Sequence, residues 1–300
     1  MGGLLVIVML ASGCGRFGFH EIPSEDGGSG ELLRDGRAEV DGGTVTCSAW
    51  SQPVAFPNVN SSADDWDEAL SPDQTVLVFG RPSSGGHNQL LVSTSQGGGV
   101  FSSPVAIAVL TAGAGRESGP TWSHDGTQLY FVSDRASLDN YRLYVSNYAG
   151  GVFGTPQLVA DLAGQYVSAP TLSSDGLEMF YGAGNTVNRA TRANSSSPWV
   201  VDGVVVELSS GKGDGYPSLS PDGLSLYFET GRDNATDTIY GAVRPQLSGP
   251  FGPPMPVTEI NTGGAEGDPS FVGSTLLVFS AVRSGGIGGF DIYTATRTCN

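Results

Sequence analysis

The sequence predicts an all-β fold, a five-bladed β-propeller built from four-stranded antiparallel blades. Three observations predict it: 45 glycines and 18 prolines among 300 residues, a segment that recurs about every 50 residues, and an N-terminal segment that supplies what the last repeat lacks. Glycine and proline in this abundance favour many short strands joined by tight turns. A period near 50 residues is the span of one propeller blade.

Each repeat reads as a strand, a tight turn and a second strand. Three copies carry an Asp-Gly pair in the turn and then a run of Leu, Met, Tyr and Phe, which is the pattern of a β-hairpin. The copies occupy 120–131, 170–181 and 217–228, with a degenerate copy at 269–279 and a fifth that starts at Glu68. Their starts are 52, 50, 47 and 52 residues apart, so five blades are predicted.

A third and a fourth strand complete each predicted blade. The third is weakest in the third blade, where only the polar pair Asn188-Arg189 is available. The fourth begins at an aromatic residue, such as Phe101, and the last blade has none before the chain stops. Trp50, with a proline three residues later, repeats the spacing seen at Phe101. The N-terminal strand is therefore expected to complete the last blade and to close the ring over residues 47–300, which removes the exposed sheet edges.

The first 46 residues are predicted to export and tether the propeller. An apolar run over 4–10 is too short to span a bilayer and suits the core of a signal peptide. It ends in Ala11-Ser12-Gly13-Cys14, which resembles the bacterial lipoprotein signal and implies a signal peptide over 1–13 and a lipidated Cys14. Residues 14–46 then form a polar tether. A signal peptide without lipidation, or a buried strand, stays open as the alternative.

The charge balance restricts the partners. The chain has 14 basic and 30 acidic residues, so it repels phosphate and nucleic acid is not an expected partner. A monomer is expected. The predicted location is the cell envelope, as a periplasmic or outer-membrane lipoprotein with its lipid anchor in the membrane.

Several short motifs are similar to the TolB-like propeller repeat, a relative of the WD-type repeat. They are Ser220-Pro221-Asp222-Gly223-Leu224, the stretch from Phe131 to Arg135, Gly289-Phe290-Asp291-Ile292-Tyr293, and Ile260-Asn261-Thr262 followed by Glu266 and Pro269. The resemblance covers the whole ring and implies an envelope protein whose propeller binds another envelope protein or a cell-wall component. The resemblance predicts the fold more strongly than it predicts the function.

Four acidic residues recur at one position of the repeat, three residues before each repeat start. The five positions hold Asp65, Glu117, Val167, Asp214 and Glu266. If the strands are equivalent, these carboxylates form a candidate ligand-binding ring at one mouth of the channel, and calcium or magnesium would suit such oxygen ligands. The alternative is that each carboxylate caps backbone amides and serves the repeat.

Four arginines form a second recurring set. They are Arg81, Arg135, Arg232 and Arg283, each two or four residues after the aromatic residue of the second strand. They are candidate interaction residues for an anionic ligand. Alternatively they pair with acidic residues between blades.

Enzyme signatures are sparse in this sequence. The three histidines lack zinc-ligand spacing, and no Gly-x-Ser-x-Gly elbow, phosphate-binding loop or dinucleotide fingerprint occurs. The acids recur at one repeat position, whereas acid and base roles need carboxylates in different environments. The sequence therefore predicts no enzyme and no cofactor beyond calcium, and favours a protein-binding platform. A lectin-like or cation-binding propeller and a five-bladed glycosidase stay open as alternatives.

The last two cysteines, Cys47 and Cys299, are predicted to form a disulfide. Export brings the chain into an oxidising compartment, and lipidation of Cys14 would leave an even pair. In blades one, two and four, 9 to 11 residues separate the third-strand anchor from the fourth-strand aromatic residue. In the closing blade, six residues lead from Tyr293 to Cys299 and three from Cys47 to Trp50. A bridge between them would replace the missing hairpin turn.

Overall fold

The structure is a computed structural model that describes residues 46–111, 115–233 and 236–300. Within these residues the chain forms 22 strands and two 3-10 helices, Ala160–Leu162 and Val206–Leu208. No helix in the described part of the chain has the length and apolar character to cross a membrane. The predicted signal peptide, Cys14 and the predicted tether up to residue 45 lie outside the described residues.

The strands assemble into five antiparallel sheets, the predicted five blades. The first strand, β1 (Val54–Ala55), belongs to the last blade. Blade one contains β2 (Trp66–Leu70), β3 (Val76–Pro82), β4 (Asn88–Gly97), and an outer strand in two pieces, β5 (Val100–Phe101) and β6 (Val105–Ala106). Blade two repeats this plan with β7 (Glu117–Trp122), β8 (Gln128–Ser133), β9 (Arg142–Ala149), β10 (Val152–Phe153) and β11 (Gln157–Leu158).

The remaining blades have a single outer strand. Blade three contains β12 (Ser168–Leu172), β13 (Glu178–Ala183), β14 (Thr186–Thr191) and β15 (Val200–Val204). Blade four contains β16 (Gly215–Leu219), β17 (Ser225–Thr230), β18 (Thr238–Val243) and β19 (Met255–Pro256). Blade five contains β20 (Glu266–Val272), β21 (Leu276–Ala281), β22 (Asp291–Thr296) and β1. The weakly predicted third strand of blade three is therefore present as β14.

The apolar core lies between the blades. Successive side chains of a strand point to opposite faces of its sheet, so a central strand faces both neighbouring blades. In β3, Val76 and Val78 pack against blade two, while Leu77 and Phe79 pack against blade five. Equivalent clusters of buried side chains lie at the other three blade interfaces. Each blade is thus held by apolar contacts on both faces.

The ring is closed as the sequence predicts. Strand β1 pairs with β22, with Val54 opposite Thr294 and Ala55 opposite Tyr293. The pairing continues toward the ends of the chain, where Cys47 lies opposite Cys299 in an antiparallel bridge. The two cysteines form a disulfide with Cα atoms 4.0 Å apart, and the predicted pairing is confirmed. The flanking residues Thr46 and Asn300 exchange the backbone hydrogen bonds, so the cysteines form a non-hydrogen-bonded pair, which explains their close approach.

Candidate functional site

The first strand of every blade lines the axis of the ring and is irregular at the same place. One residue there has a positive φ: Asp67 (52°), Gly119 (52°), Ala169 (38°), Tyr216 (49°) and Asp268 (53°). The register between the first and second strands shifts at this position in all five blades. Positive φ is costly for residues other than glycine, and bulges re-aim side chains beside functional sites. The chain accepts this strain for Asp67, Tyr216 and Asp268, whose side chains reach the channel.

The channel contains a pocket of about 330 Å³, which is within the usual range for a small-molecule site. A narrower part of about 40 Å³ shares Asp67, Tyr216 and Asp268 with it and is lined by the first strands of all five blades. The lining of the main pocket combines carboxylates with aromatic rings. The carboxylates are Asp67, Glu229, Asp237, Glu266 and Asp268, and the rings belong to Trp66, Tyr141, Tyr166, Tyr216 and Phe290.

Three of these carboxylates form a chain of hydrogen bonds from blade to blade. The backbone N–H of Gly119 donates to Asp67, and the N–H of Asp67 donates to Asp268 Oδ2 at 3.2 Å. The N–H of Asp268 donates to Glu229 Oε2 at 3.4 Å, and the hydroxyl of Ser280 donates to Asp268 Oδ2 at 2.6 Å. Each carboxylate is thus fixed by a backbone donor of an adjacent blade, so the strained first strands also position the acids.

The three carboxyl groups of this hydrogen-bond network, and Glu68 in the narrow part of the channel, hold their protons more tightly than exposed acids. Burial, and then the charge of Asp268, raise the pKa values of Glu68 and Glu229 well above their ordinary value of 4.5. The same two causes raise the pKa of Asp67 well above 3.8. Burial also raises the pKa of Asp268, but hydrogen bonds from Ser280 and from the N–H of Asp67 oppose the shift. Neighbouring carboxyls titrate as a set, and Asp268 is the member best able to carry the negative charge.

Glycine makes room for one of these acids. A Cβ on Gly267 would collide with the carboxylate of Glu229. Gly267 directly precedes the left-handed Asp268, so the same two residues bend the first strand of blade five and admit the side chain from blade four. Any larger residue at position 267 would displace Glu229 from the pocket.

We expect Glu68→Gln to stabilise the protein more at pH 8 than at pH 4. A carboxyl whose pKa is raised by folding binds a proton that the unfolded chain has released, so its contribution to stability falls as the pH rises from about 4.5 through the folded-state pKa. Glutamine does not titrate. The Tm of Glu68→Gln minus the Tm of the unsubstituted protein should therefore increase by at least about 2 °C from pH 4 to pH 8.

Asp73→Asn is the matched control, because a hydrogen bond from Ser71 lowers the pKa of Asp73. Its ionised form stabilises the fold, and this contribution is lost only as the pH falls below about 4, so the Tm difference between Asp73→Asn and the unsubstituted protein should stay nearly constant from pH 4 to pH 8. A Tm difference for Glu68→Gln that also stays constant over this range would contradict the assignment.

The structure places the four recurring acids beside the four recurring arginines. Each acid is buried and pairs with the arginine of its own blade. The shortest distances are 2.5 Å for Arg81–Asp65, 3.3 Å for Arg135–Glu117, 2.9 Å for Arg232–Asp214 and 3.5 Å for Arg283–Glu266. The expectation that these pairs join different blades is wrong, because the acid precedes or begins the first strand and the arginine lies near the end of, or follows, the second strand of the same sheet.

The acids also accept backbone hydrogen bonds. The N–H groups of Ser61, Ser210 and Thr262 donate to Asp65, Asp214 and Glu266 at 2.7, 2.5 and 2.9 Å. These contacts support the alternative in which the acids cap the repeat. Of the four, Glu266 lines the pocket and the other three do not. A ligand-binding role for this set stays a prediction.

The arginines lie on aromatic rings. The guanidinium of Arg135 is 5.2 Å from the ring centre of Phe131 and 4.8 Å from that of Tyr144, and Arg232 and Arg283 repeat this contact on their own blades. Each also donates to a backbone carbonyl, that of Leu110 in the case of Arg135. Through these ring contacts, ion pairs and hydrogen bonds, the guanidinium groups fasten blades one, two, four and five to the segment that precedes each of them. Blade three has neither partner, since Val167 and Asn185 occupy the two positions.

Sequence reasoning missed the channel carboxylates Asp67, Glu68, Glu229 and Asp268. The signal that could have found them is departure from the repeat. Position 68 holds glutamate where the other four blades have proline, and these prolines line the same narrow channel. Strand register places Glu229 at the position of Gly80, Val132, Gly182 and Ser280 in the other blades.

The described residues contain no group of three or more His, Cys, Asp or Glu side chains arranged to hold a metal ion. The calcium considered in the sequence analysis therefore gains no support from the acids that were singled out, since oxygen ligands must converge on a calcium ion.

The ring is similar to known five-bladed propellers. No family model and no curated protein matches the chain. An α-L-arabinofuranosidase of Podospora anserina is 10% identical, with a TM-score of 0.55 over 83% of this chain and 96% of that one. A GH43 endo-arabinanase of Bacillus licheniformis is 13% identical, with a TM-score of 0.58 over 80% and 96%. TolB of Acinetobacter baumannii is 15% identical, with a TM-score of 0.45 over 71% and 47%.

These likenesses establish the class of protein, a five-bladed β-propeller. The likeness to TolB is too weak to assign the chain to that family. The prediction that the chain is not an enzyme is wrong as it was argued, because the same ring architecture is found in glycoside hydrolases. The four recurring acids occupy equivalent environments, which do not suit separate acid and base roles. The channel carboxylates occupy different environments, because their blades, neighbours and hydrogen bonds differ, and such differences are what separate acid and base roles require.

Proposed function

We propose that this propeller is a glycoside hydrolase whose active site is the channel pocket. The observation that carries the proposal is that two buried carboxyls of one pocket lie in one hydrogen-bonded set with different donors: Asp268 accepts from the hydroxyl of Ser280 and the N–H of Asp67, and Glu229 accepts from the N–H of Asp268. Glycosidases need one carboxyl that stays protonated and one that stays ionised. The arabinofuranosidase and arabinanase that share the ring architecture act on carbohydrates, which supports this choice of substrate class.

Glu229 is the proton donor in this proposal, and Asp268 is the base. Glu229 gives its proton to the glycosidic oxygen as the bond from that oxygen to the anomeric carbon breaks, so the leaving sugar departs as an alcohol. Asp268 takes a proton from a water molecule, whose oxygen bonds to the anomeric carbon. One water is consumed, and both carboxyls regain their starting states when the base returns its proton to solvent and the acid is reprotonated. Asp67 keeps the proton affinity of the set high.

The aromatic rings supply the contact surface for the sugar. Trp66 packs edge-to-face against Phe290, with ring centres 6.3 Å apart, and Tyr141 against Tyr166 at 5.9 Å. These pairs fix the rings at the rim of the pocket. Aromatic faces provide apolar area for the C–H groups of a sugar ring, while the carboxylates accept hydrogen bonds from its hydroxyls.

The test is hydrolysis of a panel of nitrophenyl glycosides and plant and bacterial polysaccharides, measured as nitrophenol or reducing-end release. We expect activity on at least one substrate, and a loss of about 10²–10⁴-fold in kcat for Glu229→Gln and for Asp268→Asn, the usual size of an acid or base contribution. Glu259→Gln is the matched control, because Glu259 lies outside the pocket lining. It should retain full activity.

Two results would overturn the proposal. One is no hydrolysis of any substrate by the folded, unsubstituted protein. The other is hydrolysis that persists unchanged in both channel variants while their Tm values match that of the control.

The envelope location and the partner are further proposals. The residues around Cys14 and the TolB-like motifs support an exported, lipid-anchored protein, and a cell-wall glycan is the cell-wall component that suits the pocket. Membrane partition that is unchanged in Cys14→Ser would refute the anchor. Binding to an envelope protein through the propeller face would be tested by a pull-down from envelope extract, and recovery of no stoichiometric protein would refute it.

A further inference from the structure

The channel pocket is lined by acidic groups. Its described lining residues include five carboxyl groups and no lysine, arginine or histidine. Of the five, Glu266 is neutralised by Arg283 of its own blade. The other four have no basic partner among the described lining residues, so a cation in the pocket would favour their ionised forms. A neutral sugar would leave these carboxyl groups without a positive partner.

Glu68 is the clearest sign of a missing positive partner. Its residue surface is 3% exposed, and it lines the narrow part of the channel together with Asp67 and Asp268. In the described part of the chain, no donor other than its own backbone N–H reaches its carboxyl group. Proline occupies this position in the other four blades, so the repeat does not require an acid here. Burying a carboxyl without a partner is costly, and a cationic group in the channel would offset that cost.

Size and surroundings favour an ammonium group over a metal ion. The narrow part, about 40 Å³, holds one group of the size of a water molecule, which is also the size of a protonated primary amine. A metal would need three or more converging ligands, and no such group occurs in the described residues. The rings of Trp66, Tyr216 and Phe290 line the adjoining pocket and offer π faces that attract a cation.

We propose that the ligand of the channel is an amino sugar with a free amino group, whose ammonium is held by Glu68 in the narrow part of the channel while its ring lies in the main pocket. The sugar part of this inference rests on the proposed function, whereas the requirement for a cation does not. The ammonium donates to the carboxyl oxygens of Glu68, which accept no hydrogen bond from another described residue. A charge-assisted contact of this kind is stronger than one between neutral groups.

The test compares two disaccharides that differ in the acetylation, and therefore in the charge, of their two amino groups. Calorimetric titration with the glucosamine disaccharide and with its di-N-acetyl form should show binding at least about 30-fold tighter for the free amine, because removing one partner of a buried charge pair costs that much or more. In Glu68→Gln the preference should fall at least tenfold. Glu259→Gln should keep it.

Equal affinity for the two disaccharides, or an unchanged preference in Glu68→Gln at unchanged Tm, would overturn the inference. Titrations with calcium chloride and with sodium chloride form a separate arm. Stoichiometric binding of either inorganic ion that Glu68→Gln abolishes, without binding of the amine, would overturn it in favour of a metal. Tight amine binding without hydrolysis would support the inference while the proposed hydrolase fails, and hydrolysis of neutral glycosides only would do the reverse.

Discussion

Cys299→Ser is expected to lower the free energy of unfolding by up to about 5 kcal/mol. The disulfide joins residues 252 positions apart, and a cross-link that closes so long a loop removes much of the conformational entropy of the unfolded chain. It also fastens the strand pair β1–β22, in which two residues of β1 pair with β22. For a ring of this size, the loss corresponds to roughly 10–20 °C in Tm. Thermal and urea unfolding of the oxidised protein would measure it.

The double variant Cys47→Ser/Cys299→Ser is the control, since both substitutions break one bond and their effects should not add. A reducing agent should lower the Tm of the unsubstituted protein and leave both variants unchanged. Equal stability of Cys299→Ser and the unsubstituted protein would show that β1 stays in place without the covalent link.

Glu178→Gln is expected to destabilise the protein by about 3–5 kcal/mol. Glu178, in β13 of blade three, accepts two hydrogen bonds from Arg244, which follows β18 of blade four, at 3.2 and 2.7 Å. Their side chains are 2% and 3% exposed. Removing one partner of a buried pair leaves the other charge without compensation, and this is the costly case. Urea unfolding measured by tryptophan fluorescence would give the value.

Asp202→Asn is the matched control for this pair. Asp202 contacts Arg189, a second partner of Glu178, at 3.5 Å, and both of these side chains are 36% exposed. Exposed ion pairs contribute less than about 1 kcal/mol, so the effect should be small. Similar losses of unfolding free energy in the two variants would mean that the buried pair between blades three and four stabilises the protein no more than an exposed pair does.

The architecture could be predicted from the sequence because it depends on what the blades share. The Asp-Gly turns, the second-strand aromatics and the proline after the fourth-strand aromatic recur, so five copies reinforce one another. The disulfide followed because its position is set by the single place where the repeat is interrupted. Strand β14 was the weakest prediction, since the sequence has the polar residues Asn188 and Arg189 where the third strands of the other blades have apolar residues. The neighbouring Val187 and Ala190, both buried, carry that strand.

The candidate site could not be predicted in the same way, because it depends on where the blades differ. Asp67, Tyr216 and Asp268 occupy a position at which blade two has Gly119 and blade three has Ala169. A comparison of the repeats identifies the residues that the blades share and gives no prediction for a position that varies between them. The acids that did recur, such as Asp214, are neutralised by arginine and hold the repeat together. In a symmetric ring, the shared residues build the scaffold and the exceptions carry the chemistry.

Because the two ends of the propeller close the ring, blade five can be completed only late in the synthesis of the propeller. Strand β1 is among the first parts of the propeller to be synthesised, yet its partner β22 and Cys299 come last. At about 5–20 residues per second, the two cysteines are made roughly 10–50 s apart. Throughout that interval the residues around Trp50 have no sheet to join, and blade five lacks its outer strand. The circle therefore cannot be completed before Cys299 has been synthesised, and in an exported chain it would be completed only after this residue had crossed the membrane.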